Sequence, residues 1–197
     1  MNKDSGIMLA LLAAGQSRRF GDSDKLNALL GDKMLGLHAA ETGAGMSFSH
    51  KLVIASPHGS AEQWSNLGYR VIANQDAALG QATSVRLAAT HAIDAGASAL
   101  CILLADMPFV TCDHLGRLIA AFEQSGGTVA SARDGQAMPP AIFSIDALES
   151  LLALEGDSGA RSLLADARLV VGDDPVLIDI DTAENLAQAN ILYNQFK

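Results

Sequence analysis

The feature that most constrains this chain is an alternation. Short, wholly apolar runs of strand length recur between segments of helical length, and glycines punctuate the joins. Residues 7–13 (Ile-Met-Leu-Ala-Leu-Leu-Ala) carry no polar side chain and are closed by Gly15. Such a run suits a strand covered on both faces, as in a parallel sheet, rather than the in–out pattern of a half-exposed one. Residues 51–56, 70–73 and 99–104 repeat the pattern, and 35–42, 61–67, 82–95 and 113–124 read as helices between them. Gly43, Gly68, Gly96 and Gly126 fall near the ends of those helices, where a left-handed residue commonly stops one. Strand alternating with helix predicts an α/β fold with a parallel sheet and right-handed crossovers.

Past Gly127 the pattern loosens. Residues 128–132 and 141–145 read as strands flanking a polar loop at 133–138. Helices are expected at 147–154 and 160–164, strands at 168–171 and 176–180, and a last helix at 183–196 with Thr182 as its N-cap. No linker, repeat or low-complexity tract interrupts the 197 residues, so a single domain over 1–197 is expected. Hydrophobic residues make up 49% of the chain but aromatic ones only 5%, which calls for an aliphatic core.

Composition excludes several function classes. A net charge of −9 argues against a broad nucleic-acid surface, which needs clustered Lys and Arg. The apolar run at 7–14 is too short to span a bilayer and ends in a turn, so no membrane role and a cytoplasmic location are expected. Cys101 and Cys112 form neither a disulfide framework nor a zinc spacing. The histidines (His38, His50, His58, His91, His114) show no metal-ligand spacing and are assigned no role.

Chemistry concentrates where the first strand ends. In parallel α/β sheets ligands sit beyond the carboxyl ends of the strands, and the turn from Gly15 to Asp24 leaves at that edge. Gly15 and Gly21 allow tight backbone geometry, exposed amides there can cradle phosphate, and Arg18, Arg19 and Lys25 add positive charge. The spacing is neither Gly-x-x-x-x-Gly-Lys-Ser/Thr nor Gly-x-Gly-x-x-Gly, so the P-loop and dinucleotide fingerprints both fail. On spacing alone, an ordinary connection with solvated arginines explains the turn equally well. A second carboxylate-bearing edge follows at Leu103-Leu104-Ala105-Asp106-Met107-Pro108, where an apolar strand delivers Asp106 to the same side of the sheet. Hard cations such as Mg²⁺ bind through one or two carboxylates plus substrate phosphates.

Leu12-Ala13-Ala14-Gly15-x-Ser17-x-Arg19-Phe20-Gly21, with Lys25 a few residues on, resembles the opening motif of the molybdenum cofactor nucleotidyltransferases. The Ala-Ala-Gly form is closer to the cytidylyltransferase branch than to the guanylyltransferase branch. The resemblance runs from Leu9 to about Asn190 with its blocks in the family's order. It implies a three-layer α/β/α, glycosyltransferase-A-like fold with a mostly parallel central sheet. It also implies that Leu12, Ala13, Ala14, Gly15, Ser17, Arg19 and Lys25 hold a nucleoside triphosphate. Asn74 and the block Gly80-Gln81-Ala82-Thr83-Ser84 resemble the segment that contacts base and ribose, giving Asn74, Gly80 and Ser84 a nucleoside role; a capped helix start is the competing explanation.

The same resemblance makes Asp106 a metal ligand, with Ala105 standing where relatives carry Gly. Asp179-Ile180-Asp181-Thr182-Ala183-Glu184-Asn185 resembles the family's Asp-x-Asp-Thr-Pro-Glu-Asp. On a strand Asp179 and Asp181 share a face, and Asp181 is the first choice to complete the metal site; capping of the next helix by Asp181 or Thr182 competes with that role. Met138-Pro139-Pro140 replaces the Gly-His-Pro common in the cytidylyltransferase branch, and with Asp157 and Arg161 it falls on the acceptor side. The implied reaction moves a nucleoside monophosphate from CTP, in preference to GTP, to a small phosphorylated acceptor, molybdopterin in the family. Mg²⁺ is the cofactor, Arg19, Lys25 and Asp106 carry the catalysis, and the family setting implies transient contact with a molybdoenzyme or its chaperone. The alternatives are transfer to a sugar or alcohol phosphate, and a non-catalytic cofactor-binding or maturation protein on the same fold.

Overall fold

A computed structural model describes residues 6–195 apart from 16, 18–19, 21–23, 58–60, 157–159 and 174, and apart from the side chain of Ser162. The strands are β1 (Ile7–Ala13), β2 (Leu29–Leu30), β3 (Lys33–Met34), β4 (His50–Ala55), β5 (Arg70–Ala73), β6 (Ala99–Leu104), β7 (Val129–Arg133), β8 (Gln136–Ser144) and β9 (Arg168–Val171). The helices are α1 (Leu35–Ala44), α2 (Glu62–Asn66), α3 (Gln81–Asp94), α4 (Cys112–Ser125), α5 (Ile145–Leu152) and α6 (Ala183–Gln195). Seven strands form one sheet in the order β5-β4-β1-β6-β8-β7-β9, and β2 pairs with β3 in a separate small hairpin. β8 runs antiparallel to both β6 and β7; the other pairings in the large sheet are parallel.

The uniformly apolar β1 is buried along its whole length because it feeds two cores at once. Ile7, Leu9 and Leu11 pack on one face with Ala39 and Ala40 of α1, Trp64 of α2 and Leu115 and Leu118 of α4. Met8, Ala10 and Leu12 pack on the other with Ala82, Val85, Ala88, Ala89 and Ala92 of α3 and Leu148 and Leu151 of α5. The two-residue alternation of a strand divides these side chains between helical layers, producing the expected three-layer arrangement. No helix among the described residues is long and apolar enough to cross a membrane.

Four local expectations are corrected. Gly43 lies inside α1, where a Cβ would meet Leu9 Cδ2 at 2.6 Å and the Tyr69 hydroxyl; it brings the helix close to the sheet rather than ending it. The expected polar loop at 133–138 is a hairpin, with β8 beginning at Gln136 and turning through Asp134 (φ 51°) and Gly135 (φ 74°). Proline lacks a ladder donor, and the pairing slips at Pro139-Pro140: Ala130 faces Ala141 while Ser131 faces Met138. Residues 160–163 form a 3₁₀ turn rather than an α-helix. Residues 176–180 form no strand, so the shared-face argument for Asp179 and Asp181 has no basis.

Candidate active site

The strand order reverses between β1 and β6: from β1 the chain moves to β4 and β5 on one side, then returns to place β6 on the other. At such a reversal the connections leave in opposite directions and open a crevice at the carboxyl ends. Here a cleft of about 430 Å³ is lined by Leu12 to Gly15, Ser17, Lys25, Leu26, Ala77, Gly80, Gln81, Ser84, Leu104, Asp106 and Asp181. It gathers residues from four widely separated stretches of the chain.

Gly15 stands on the cleft wall, where a Cβ would meet no atom of the described residues beyond its chain neighbours within 4 Å. Among the described residues of the turn, the left-handed one is Ser17 (φ 49°), not Gly15. The Ser17 hydroxyl accepts a hydrogen bond from Lys25 N at 3.2 Å, and Asp24 caps the short 3₁₀ turn at Lys25–Asn27 by accepting from Leu26 N. Together they fix where the Lys25 side chain starts. Arg19, expected to touch phosphate, lies outside the described residues.

Opposite this turn, Gly80 adopts φ 110° and ψ 172°, a conformation side chains resist, and α3 begins directly after it. Gly80, Gln81 and Ser84 therefore present the positive end of a 14-residue helix to the cleft. Asn74, expected beside them, is only 1% exposed and does not line the cleft. Its amide donates to Thr83 Oγ1 at 2.8 Å and Ser84 Oγ at 2.9 Å, so it orients the first turn of α3 from behind.

The floor carries the charge. Lys25 Nζ donates to Asp106 Oδ2 at 2.7 Å and to Asp181 Oδ1 at 2.8 Å. Asp106 follows β6 directly, and Ile180 N donates to the Asp106 carbonyl, which lays the 180–181 backbone beside it. Thr182 and Asn185 lock that segment by reciprocal capping: Asn185 N donates to Thr182 Oγ1, while Asn185 Oδ1 accepts from the amides of Asp181 and Thr182. The helix start therefore keeps its cap with Asn185 in the acid's place, and Asp181 is held at the cleft.

Burial works against the Lys25 ammonium, but the carboxylates of Asp106 and Asp181 outweigh it and hold its pKa above the usual lysine value. Burial pushes the Asp106 carboxyl above the ordinary range; Lys25 opposes that shift, whereas the charges of Asp179 and Asp181 add to it. Asp106 Oδ1 is buried with no hydrogen-bond partner among the described residues. No group of three or more His, Cys, Asp or Glu arranged for a metal occurs among those residues. Two carboxylates beside a phosphate-sized cleft, one with a buried oxygen that has no partner among the described residues, instead suit a hard divalent ion that takes its remaining oxygens from substrate and water. Asp179 is near enough to act on Asp106 through its charge but does not line the cleft.

On the acceptor side, Pro139 lies within β8, Arg161 donates to Gln136 Oε1 at 2.8 Å, and Asp157 lies outside the described residues. Neither Pro139 nor Arg161 lines the cleft. Leu26, Ala77, Gln81 and Leu104, which sequence reasoning did not single out, do. Gln81 could have been found from its place directly after Gly80; the others are apolar residues without a signal.

A three-layer sheet with a charged cleft at its strand-order reversal, a glycine turn on one wall and a helix N-terminus on the other, defines a nucleotide-handling α/β protein. Residues 9–172 match the family model described as MobA-like NTP transferase domain, and the chain belongs to that family of nucleotidyltransferases. It is 34% identical to the purine catabolism protein PucB of Bacillus subtilis over 88% of this chain and 90% of that one. It is 29% identical to the molybdenum cofactor guanylyltransferase of Cereibacter sphaeroides, covering 92% of this chain and 94% of that one. Among solved structures, the manganese complex of Rv0371C from Mycobacterium tuberculosis aligns with a TM-score of 0.75 at 20% identity, over 94% of this chain and 98% of that one.

Proposed function

We propose that this nucleotidyltransferase transfers CMP from CTP to the phosphate of a molybdopterin-type acceptor, with Mg²⁺ as its cofactor and pyrophosphate as the second product. The observation that carries the reading is the meeting of Lys25, Asp106 and Asp181 on the floor of a cleft whose walls offer backbone amides. The molybdopterin acceptor is supported by the named activity of the Cereibacter relative, and the preference for CTP over GTP by Ala13-Ala14-Gly15. The divalent ion is supported by the orphaned Asp106 Oδ1 and by the manganese reported with Rv0371C. Residues 1–197 are taken as one catalytic domain working in the cytoplasm.

In this reading the amides around Gly15 and the start of α3 bind the triphosphate and present its α-phosphorus toward Asp106. An acceptor phosphate oxygen forms the new bond to that phosphorus. The bond from phosphorus to the bridging oxygen breaks, and its electron pair leaves with pyrophosphate. An acceptor phosphate is already ionised near neutral pH, so no general base is required. Mg²⁺ held by Asp106 and Asp181 would supply charge stabilisation to the phosphate oxygens. Lys25, together with Arg19, neutralises the departing pyrophosphate. Positioning and electrostatics therefore carry the rate.

Pyrophosphate release, measured with each nucleoside triphosphate, Mg²⁺ and molybdenum cofactor, tests the whole reading. Release with CTP and cofactor together is expected. Release with GTP alone overturns the nucleotide choice, release only with a sugar or alcohol phosphate overturns the acceptor, and none with any combination overturns transfer.

A further inference from the structure

A buried ammonium clamped between two carboxylates is a cation site already filled. Lys25 is 7% exposed, and its two hydrogen-bonded carboxylates belong to the pair assigned above to the divalent ion. We propose that Lys25 holds the place of the metal in the nucleotide-free protein, and that a polyphosphate in the cleft draws the ammonium off Asp106 and Asp181 and so opens them to the ion. The inference rests on the nucleotidyl-transfer reading and adds an order to it: phosphates first capture Lys25, and only then do the carboxylates bind metal strongly.

Charge and geometry both favour exchange over sharing. A divalent ion and the Lys25 ammonium would compete for the same two carboxylates, and their mutual repulsion opposes simultaneous binding. Relief of that repulsion requires the ammonium, bonded to both carboxylates, to move off them. Four rotatable methylenes carry the ammonium, and apart from its bonds to the two carboxylates the residue is anchored through its backbone, by Ser17 Oγ and the Asp24-capped turn. The destination is close, since Gly15 and Ser17 line the same cleft as Lys25. Asp106 Oδ1, which has no hydrogen-bond partner among the described residues, marks acceptor capacity that one ammonium leaves unused and a hard cation would take up.

The arrangement makes nucleotide and metal binding mutually reinforcing, because each removes the obstacle to the other. It also keeps Asp106, the more buried of the two carboxylates, paired when no metal is bound.

The test is Mn²⁺ binding to the nucleotide-free full chain, followed by the electron paramagnetic resonance of unbound Mn²⁺, in the wild type, Lys25→Met and Asp106→Asn. Lys25→Met is expected to bind Mn²⁺ at least tenfold more tightly than the wild type, and Asp106→Asn to lose binding. Equal or weaker binding by Lys25→Met, with binding lost in Asp106→Asn, overturns the exchange while leaving the metal site standing. Binding unchanged in Asp106→Asn overturns the metal site and the exchange together. Should Lys25→Met fail to fold, the wild type answers alone by NMR of its lysine ammonium groups. The slowly exchanging Lys25 signal is expected to move or vanish when inorganic triphosphate is bound in the cleft, and a signal left in place by bound triphosphate overturns the proposal.

Discussion

Two buried polar clusters join distant parts of this molecule, and they are built on opposite terms. Behind the sheet, His114 of α4 is wholly buried, with its Nε2 2.8 Å from Ser131 Oγ of β7 and its Nδ1 3.1 Å from an Arg117 Nη. Ser131 spends its one proton on the Pro140 carbonyl of β8, at 2.7 Å. His114 Nε2 must therefore donate to Ser131, which leaves Nδ1 to accept from Arg117: a neutral ring with every group used. At the cleft, Lys25, Asp106 and Asp181 join equally remote segments but leave Asp106 Oδ1 without a partner among the described residues. Full satisfaction marks a cluster that holds strands and helix together. An acceptor kept buried and unpaired costs stability, and a ligand is what makes that cost worth keeping.

The contrast breaks first at Asp106. Asp106→Asn should lower turnover by at least about a hundredfold, the scale seen for removing one charge-stabilising group, while the thermal midpoint moves little. Near-normal turnover would mean that the orphaned oxygen serves no reaction. His114→Ala should do the reverse, costing roughly 3 kcal/mol in urea unfolding through a cavity and an abandoned Ser131, with kcat per folded molecule unchanged.

Acid gives a third separation. Burial, then the Arg117 guanidinium, pushes His114 down to about 4 from its ordinary 6.5. The unfolded chain therefore binds this proton at higher pH than the folded one. The stability contributed by the neutral ring is complete above about 6.5 and drains away as pH falls toward 4, by an amount on the order of 2–3 kcal/mol. Urea midpoints measured across that window should fall in the wild type and fall less in His114→Gln. Smallest in stability is Gly15→Ala, whose Cβ meets no atom of the described residues beyond its chain neighbours within 4 Å. Unfolding should shift by less than about 0.5 kcal/mol, as for an unconstrained surface change. The KM for nucleotide should rise about tenfold if phosphate approaches that backbone closely, a loss of one hydrogen bond's worth of binding. An unchanged KM would move the phosphate elsewhere in the cleft.

Much of this was legible in the order of residues. The apolar runs at 7–13 and 99–104 became strands at those same bounds, because a strand buried on both faces leaves a continuous apolar stretch. The segment around Pro139 was misread because two prolines and a polar turn imitate a loop, whereas a hairpin tolerates them where its pairing slips. Residues 176–180 are apolar enough to read as a strand, but what holds them is a turn, with Val176 N donating to the Asp173 carbonyl and Ile178 N to the Pro175 carbonyl, and the bond from Ile180 N to the Asp106 carbonyl. Asn74 sits within a family-like block, yet only its burial reveals that it grips Thr83 and Ser84 rather than facing the cleft.

What the chain determined by itself is the kind of sheet, the faces of its helices and the presence of a phosphate-ready turn, since all of these follow from local pattern and from the apolar surface each element must bury. The site was decided in three dimensions. Lys25 meets carboxylates 81 and 156 residues away, and it does so because the strand order reverses beside β1, bringing the ends of β1 and β6 together at one edge. Which oxygen is left unpaired there depends on burial and on where each neighbour's hydrogen bonds are already spent, and neither quantity exists until the chain has folded.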